Sequence, residues 1–455
     1  MICFSKVWPG AQRAAFRESP PDASLTKPSL RAASPGGARG AATTRNTLLL
    51  VYLGYLARYL SPLILVPFFA RVLGAAEYGK VIAAFSLLNV VTLVITYGFP
   101  AIGTREVASA PKTSRQTLFG AHIKARLMLS IVGCAVGAVG TLLSPPLALD
   151  PRFGVAATLL GLLTAFNLAW YFQGLRQFWI QVTLESLGFA SNIVFVLLLV
   201  RGSQDAFLVM MIFLATAAVQ TFLAYAVAMR RIGRPLRFSG AIALIRASTP
   251  IFAAGGAVAA MANCSTLLLS LFASSAQVAF FGVSERLANL ALGLLVPANQ
   301  VLVPTVCRHL ALRETAREGF RLMRRSVLVI CCAGLLAAIV LSVLAPLVVP
   351  LLFGAEFRHA VPIVELFGVL LPFAFFNQVV GTVIMVPLRR ERLLARFMLS
   401  GAVVNLALAF MLAPYFGGLG VAGARVISEV GVAAVLFLDL WRSGILEQLT
   451  RRAGA

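Results

Sequence analysis

Residues 47–72 read TLLLVYLGYLARYLSPLILVPFFARV, an almost unbroken apolar run with one ionisable side chain well inside it, Arg58. A helix rising 1.5 Å per residue needs about 20 such residues to cross a hydrocarbon core of roughly 30 Å, so this stretch spans a bilayer. Arg58 lies 11 residues beyond Thr47, about 16 Å of rise and close to mid-membrane. An arginine there costs roughly 2.5–3.5 kcal/mol on insertion scales. It requires a partner, a protein-lined interior or a watery cavity, and the chain reads as a helical box built around such a cavity.

Composition agrees with that reading. Apolar residues make up 60% of the 455 and charged residues 12%, with a mean hydropathy of +0.90. Soluble domains carry about 25% charged residues, so this is a polytopic membrane protein. The net charge of +23 sits in short connections between apolar runs. That placement fits orientation signals and anionic lipid, and excludes nucleic acid as the partner. Six cysteines and three histidines are scattered, with no C-x-x-C and no metal-ligand spacing, so neither a disulfide framework nor a metal is expected. No organic cofactor is expected either.

Twelve apolar spans follow one another, at 47–72, 79–104, 121–144, 153–173, 180–201, 206–229, 248–273, 280–306, 327–353, 361–386, 394–414 and 419–441. No strand-like alternation competes, which excludes a β-barrel. The organisation expected is a disordered basic tail (1–46) without a signal-peptide core, an N-lobe of six spans (47–229), a cytoplasmic linker (230–247), a C-lobe of six spans (248–441) and a cytoplasmic tail (442–455). Every second connection is basic. These and the two tails hold 31 of the 39 Lys and Arg, the opposite set holds five, and Arg58, Arg286 and Arg425 lie within spans. This asymmetry places both termini in the cytoplasm. A weak repeat relates the halves: Ala76-Glu77-Tyr78-Gly79 opens the second span and Ala279-Phe280-Phe281-Gly282 the eighth, as in transporters built from two related lobes.

Five motifs carry a family resemblance. Phe69-Ala70-Arg71-Val72-Leu73-Gly74-Ala75-Ala76-Glu77-Tyr78-Gly79, Tyr97-Gly98-Phe99 with Thr104-Arg105-Glu106, Trp170-Tyr171-Phe172-Gln173-Gly174-Leu175, Leu352-Phe353-Gly354-Ala355-Glu356-Phe357 and Phe416-Gly417-Gly418-Leu419-Gly420-Val421-Ala422-Gly423-Ala424 occur in order. Together they resemble the polysaccharide export family, the O-antigen flippases of Wzx/RfbX type within the multidrug/oligosaccharidyl-lipid/polysaccharide (MOP) transporter superfamily. The resemblance covers residues 45–442. It implies an all-α protein with twelve transmembrane helices in two six-helix lobes, sited in the bacterial inner membrane. It further implies a flippase, not an enzyme, that moves an undecaprenyl-pyrophosphate-linked oligosaccharide for O-antigen, capsule or exopolysaccharide synthesis. A polysaccharide polymerase and chain-length machinery are then expected partners.

Such a substrate carries phosphate charge past hydrocarbon, which requires fixed cations and water along the path. Arginine stays charged and grips phosphate oxygens through a planar fork. Arg58, Arg286 and Arg425 are therefore the pyrophosphate candidates. The alternatives are that Arg425 pairs with Glu429 one turn on, and that Arg286 serves lobe packing beside Glu285. Glu185, Glu285, Glu365 and Glu429 are candidates for H+ or Na+ coupling or, more plainly, for salt bridges. Trp170, Tyr171 and Phe172 read as membrane-interface anchors, and Pro62 and Pro250 as hinges. Three rivals remain. A cation-coupled MATE-type exporter would place a carboxylate where this chain has Arg58. A peptidoglycan-precursor flippase carries more helices than twelve. A membrane glycosyltransferase or polymerase uses a sizeable outer loop, and no connection of the outer set is long.

Overall fold

The structure, a computed structural model, describes the backbone of residues 39–232, 240–311 and 315–450, and the side chains within them except at 39–60, 112–113, 178, 232, 253–263, 296–297, 300, 448 and 450. The chain divides into a unit Met1–Thr47 and a compact unit Leu48–Ala455. Everything below concerns the second. The tail expected over 1–46 lies outside the described residues up to 38; from Arg39 the chain is already helical, earlier than the span boundary at Thr47.

No strand occurs among the described residues, and the helices follow the apolar runs. In order they are α1 (Arg39–Thr96), α2 (Phe99–Ser109), α3 (Lys112–Leu143), α4 (Pro145–Ala148), α5 (Pro151–Ala165), α6 (Ala169–Gly174), α7 (Phe178–Leu199), α8 (Ala206–Ile232), α9 (Ala241–Ser270), α10 (Ser275–Gly293), α11 (Leu295–Ala311), α12 (Ala316–Phe353), α13 (Val361–Val379), α14 (Glu391–Arg442) and α15 (Ile445–Thr450). A π-helical turn, Val380–Met385, closes α13.

Two of these elements each contain two membrane passes. In α1 the break is Gly74, at φ 73° and ψ 171°, a backbone state open to glycine. The Phe69 and Tyr78 rings lie 5.8 Å apart across it, whereas nine residues of straight helix would separate them by about 13 Å. In α14 the break is Gly417, at φ 54°. There Gly420 comes so close to the Leu412 carbonyl that a Cβ would sit 2.5 Å from it. Eight stretches among the described residues are long and apolar enough to cross a membrane. Two of them are these double elements, and α9 and α10–α11 complete the twelve passes. The protein is an all-α polytopic membrane protein of two six-helix lobes.

Helices such as α7 present leucines outward, among them Leu187 and Leu198, as a lipid-facing helix must when hydrocarbon is the solvent. The inner helices do the opposite. The second pass of α1 is buried along Val81, Ala84, Leu87 and Val91, and shares its core with Phe281 of α10 and Phe367 of α13. The two motifs that suggested an internal repeat pack against each other's helices. A Cβ on Gly79 would meet the Ser275 carbonyl oxygen at 1.8 Å, and one on Gly282 would meet Ile82 at 2.7 Å. The two repeated motifs thus cross each other through their glycines.

Candidate translocation cavity

Between α1 and α10 lies a cavity of about 340 Å³, whose polar lining comes from Ser86, Asn89, Thr266, Glu285, Arg286 and Asn289. Pro62, Val66, Pro67, Leu352 and Phe353 contribute apolar wall. Helical geometry decides how its charges are used. Neighbours Glu285 and Arg286 project about 100° apart around α10, so they do not neutralise each other.

Glu285 turns to α14, where Arg425 Nη1 donates to its Oε1 at 2.7 Å, while Thr266 Oγ1 of α9 donates to Oε2 at 2.8 Å. The pair is well buried, the side chains 10% and 12% exposed, and the guanidinium also lies 5.8 Å from the Phe367 ring centre. Arg286 stays with the cavity and has no ion-pair partner among the described residues.

The expected Arg425–Glu429 pairing is therefore corrected. Arg425 takes a carboxylate from another helix, and Glu429 accepts instead from Asn377 Nδ2, at 2.6 Å. Arg425 lines no part of the cavity and acts on it only through Glu285. Glu185 accepts from Gln181 at 2.5 Å beside a small separate cavity between α5, α7 and α8. Glu365 is exposed on α13, away from the cavity. Arg58 falls on α1, but its side chain lies outside the described residues. Of the seven candidates the structure joins two, Glu285 and Arg425, in an ion pair and places a third, Arg286, beside Glu285 in the cavity wall.

At one end of the cavity, beside Leu352 and Phe353, run contacts the sequence did not disclose. Arg71 donates through Nε to the Leu352 carbonyl, at 2.9 Å, and through Nη2 to that of Leu351. Glu356 Oε2 accepts from the Ala75 amide at 3.0 Å. Both are helix caps supplied across the bundle. The last carbonyls of α12 and the first amide after the Gly74 break are orphan groups, satisfied here by a cation at a C-terminus and an anion at an N-terminus. The first and fourth motifs grip each other in this way. The second and third do likewise: Thr104 Oγ1 donates to the Trp170 carbonyl at 3.2 Å, and Gly174 packs against Val107. Trp170, Tyr171 and Phe172 are at most 2% exposed, so they are core residues and not interface anchors. The break in α1 falls at Gly74 and not at Pro62, which lies inside the helix beside the cavity.

Two six-helix lobes meeting over a polar cavity make a fold shared with solved two-lobed membrane proteins. The structure superposes on the lipid II flippase MurJ in an inward closed conformation with a TM-score of 0.69, at 12% identity over 88% of this chain and 90% of that one. An inward-facing multidrug-resistance MATE transporter gives a TM-score of 0.58, at 14% identity over 89% and 96%. The chain belongs to the polysaccharide biosynthesis protein family, whose model matches residues 43–309. Among curated relatives, a candidate O-antigen transporter of Shigella dysenteriae is 22% identical over 87% of this chain and 98% of its own. A second such protein, of Escherichia coli K12, is 21% identical over 86% and 95%.

Proposed function

We propose that the protein is a flippase carrying an undecaprenyl-pyrophosphate-linked oligosaccharide across the bacterial cytoplasmic membrane by alternating access. The observation that carries this reading is the cavity between the lobes with Arg286 in its wall and, among the described residues, no carboxylate paired to it. Glu285, the nearest carboxylate in sequence, is already held by Arg425 and Thr266. A fixed cation of this kind suits a phosphate oxygen, and Asn89, Asn289 and Ser86 beside it suit sugar hydroxyls. Arg58, on the first pass of the same helix as Asn89, would add a second cation. Arg425 then acts as a positioning residue that keeps Glu285 off Arg286. Curated relatives named for O-antigen transport favour this substrate class over drugs.

With both termini cytoplasmic, the Arg71 and Glu356 caps close the outer face and the substrate enters from inside. Glu285 is the coupling candidate that the cavity favours, since uptake of H+ or Na+ there would loosen Arg425. The test is deletion of the gene followed by a leaflet-specific assay of the glycolipid. Deletion is expected to trap the glycolipid in the cytoplasmic leaflet. Wild type and Arg286→Lys restore flipping, fully and in part, while Arg286→Ala inserts normally but fails. Full restoration by Arg286→Ala overturns the role given to that residue, and no trapping on deletion overturns the flippase reading itself.

A further inference from the structure

A second buried arginine occurs in the N-lobe, on α3, and does not line the cavity between α1 and α10. Arg126 is 1% exposed. Its guanidinium carbon lies 5.3 Å from the Trp170 ring centre, and it faces the Tyr225 phenol of α8. One turn earlier His122, equally buried, stacks on Trp170 at 4.1 Å. The group is drawn together by Gly103 of α2, where a Cβ would lie 2.4 Å from the Trp170 ring and 2.8 Å from His122. Phe119 flanks Tyr225 at 5.8 Å and Tyr171 at 5.4 Å, enclosing the cluster.

The chemistry of this cluster is one-sided. Among the described residues, Arg126 Nε and Nη1, Trp170 Nε1, Tyr225 Oη and both ring nitrogens of His122 are buried with no partner in good hydrogen-bond geometry, and the phenol oxygen that faces Arg126 is a neutral acceptor without counter-charge. Arginine and indole nitrogens only donate, tyrosine and neutral histidine can each donate and accept, and the guanidinium keeps a charge that neither of them balances. A ring face answers the charge of a cation but not the N–H bonds in the guanidinium plane. The one carboxylate nearby, Glu106, reaches His122 Nε2 only at 3.7 Å and is more than a third exposed. The C-lobe shows the contrast, since there the buried Arg425 is given Glu285 at 2.7 Å. Buried charges are paired and buried donors are bonded, so a surplus of donors around a permanent cation calls for an acceptor that bears negative charge.

We propose that Arg126, Trp170, Tyr225 and His122 hold a small inorganic anion, chloride under cellular conditions, inside the N-lobe. The site is separate from the translocation cavity, shares none of its lining residues, and does not depend on the flippase reading. The cluster is enclosed by α2, α3, α6 and α8 with Gly103 packed tightly against Trp170 and His122, so the ion proposed is a monatomic one and not the substrate head group.

The test uses the full-length protein in detergent micelles, with Trp8, Trp179 and Trp441 replaced by Phe so that Trp170 is the single indole. Iodide, which quenches indole emission, is titrated against gluconate at fixed ionic strength. The expected result is saturable quenching that chloride reverses and that Arg126→Met abolishes. Quenching that rises linearly without a plateau, or a response unchanged in Arg126→Met, overturns the proposal. If the single-indole protein is not recovered, the native sequence is melted in chloride and in gluconate. An anion bound only by the folded state raises the melting temperature, and this shift is expected in the wild type and absent from Arg126→Met. Equal melting temperatures for the wild type in the two salts overturn the site.

Discussion

At the scale of single residues, the helical wheel and long-range geometry compete, and long-range geometry wins. Spacing along α14 favours Arg425 with Glu429, a contact worth a few tenths of a kcal/mol on an exposed helix. In the fold Arg425 reaches Glu285, 140 positions away, at 2.7 Å. Removing one member leaves the other buried and uncompensated, so Arg425→Met alone is expected to lose about 3–5 kcal/mol of stability. Glu285→Gln combined with Arg425→Met should lose far less, because no charge is then stranded. Unfolding measured in micelles distinguishes the two, and equal losses in single and double variants count against the pair. The sequence did show which residues carry intramembrane charge. It could not show their partners, because a one-dimensional pattern encodes the face of a helix but not what is packed against it. The same limit hid Arg126, which reads as one more basic residue at the edge of a span.

At the scale of elements, the motifs that look like turns are interlocking surfaces. Gly79 and Gly282 let the second pass of α1 and α10 cross with backbone almost in contact. In an isolated helix Gly79→Ala would be favourable by about 1 kcal/mol. Here the added methyl would overlap the Ser275 carbonyl at 1.8 Å, so the variant is expected to pry the crossing apart. In a cysteine-free background, a thiol placed at Ala76 should become more reactive toward a membrane-impermeant reagent. Reactivity unchanged by Gly79→Ala would show that the crossing tolerates a side chain and that the close approach is immaterial. Arg71→Ala with Glu356→Gln is expected to raise the same reactivity by uncapping two helix ends. Helix positions were legible from hydropathy, and breaks at Gly74 and Gly417 were signalled by the glycines. That one motif caps another was not, because Ala75 and Glu356 are 281 residues apart.

At the scale of the whole molecule, the alternation of charge between connections is the most redundant signal in the chain. A single missed span would have inverted the order of every later connection. This is why twelve passes could be counted before any helix was seen, even though two pairs are fused across glycine breaks. Topology follows from the same count. A fluorescent protein fused at the C-terminus should fold and fluoresce, and alkaline phosphatase fused after Arg201 should be active, since the first requires the cytoplasm and the second the outside. The reverse pattern would turn the cavity around and send its closed end inward. The closed face itself was not legible, because it depends on main-chain atoms.

That dependence has a consequence for how the protein tolerates drift. Arg71 takes hold of the peptide oxygens of Leu351 and Leu352, not of their side chains. In a saturation library the two leucines should accept most apolar replacements without altering the seal, whereas Arg71 should accept almost none. The seal is therefore vulnerable on one strand of its sequence only, and half of its grip is written in atoms that mutation cannot reach.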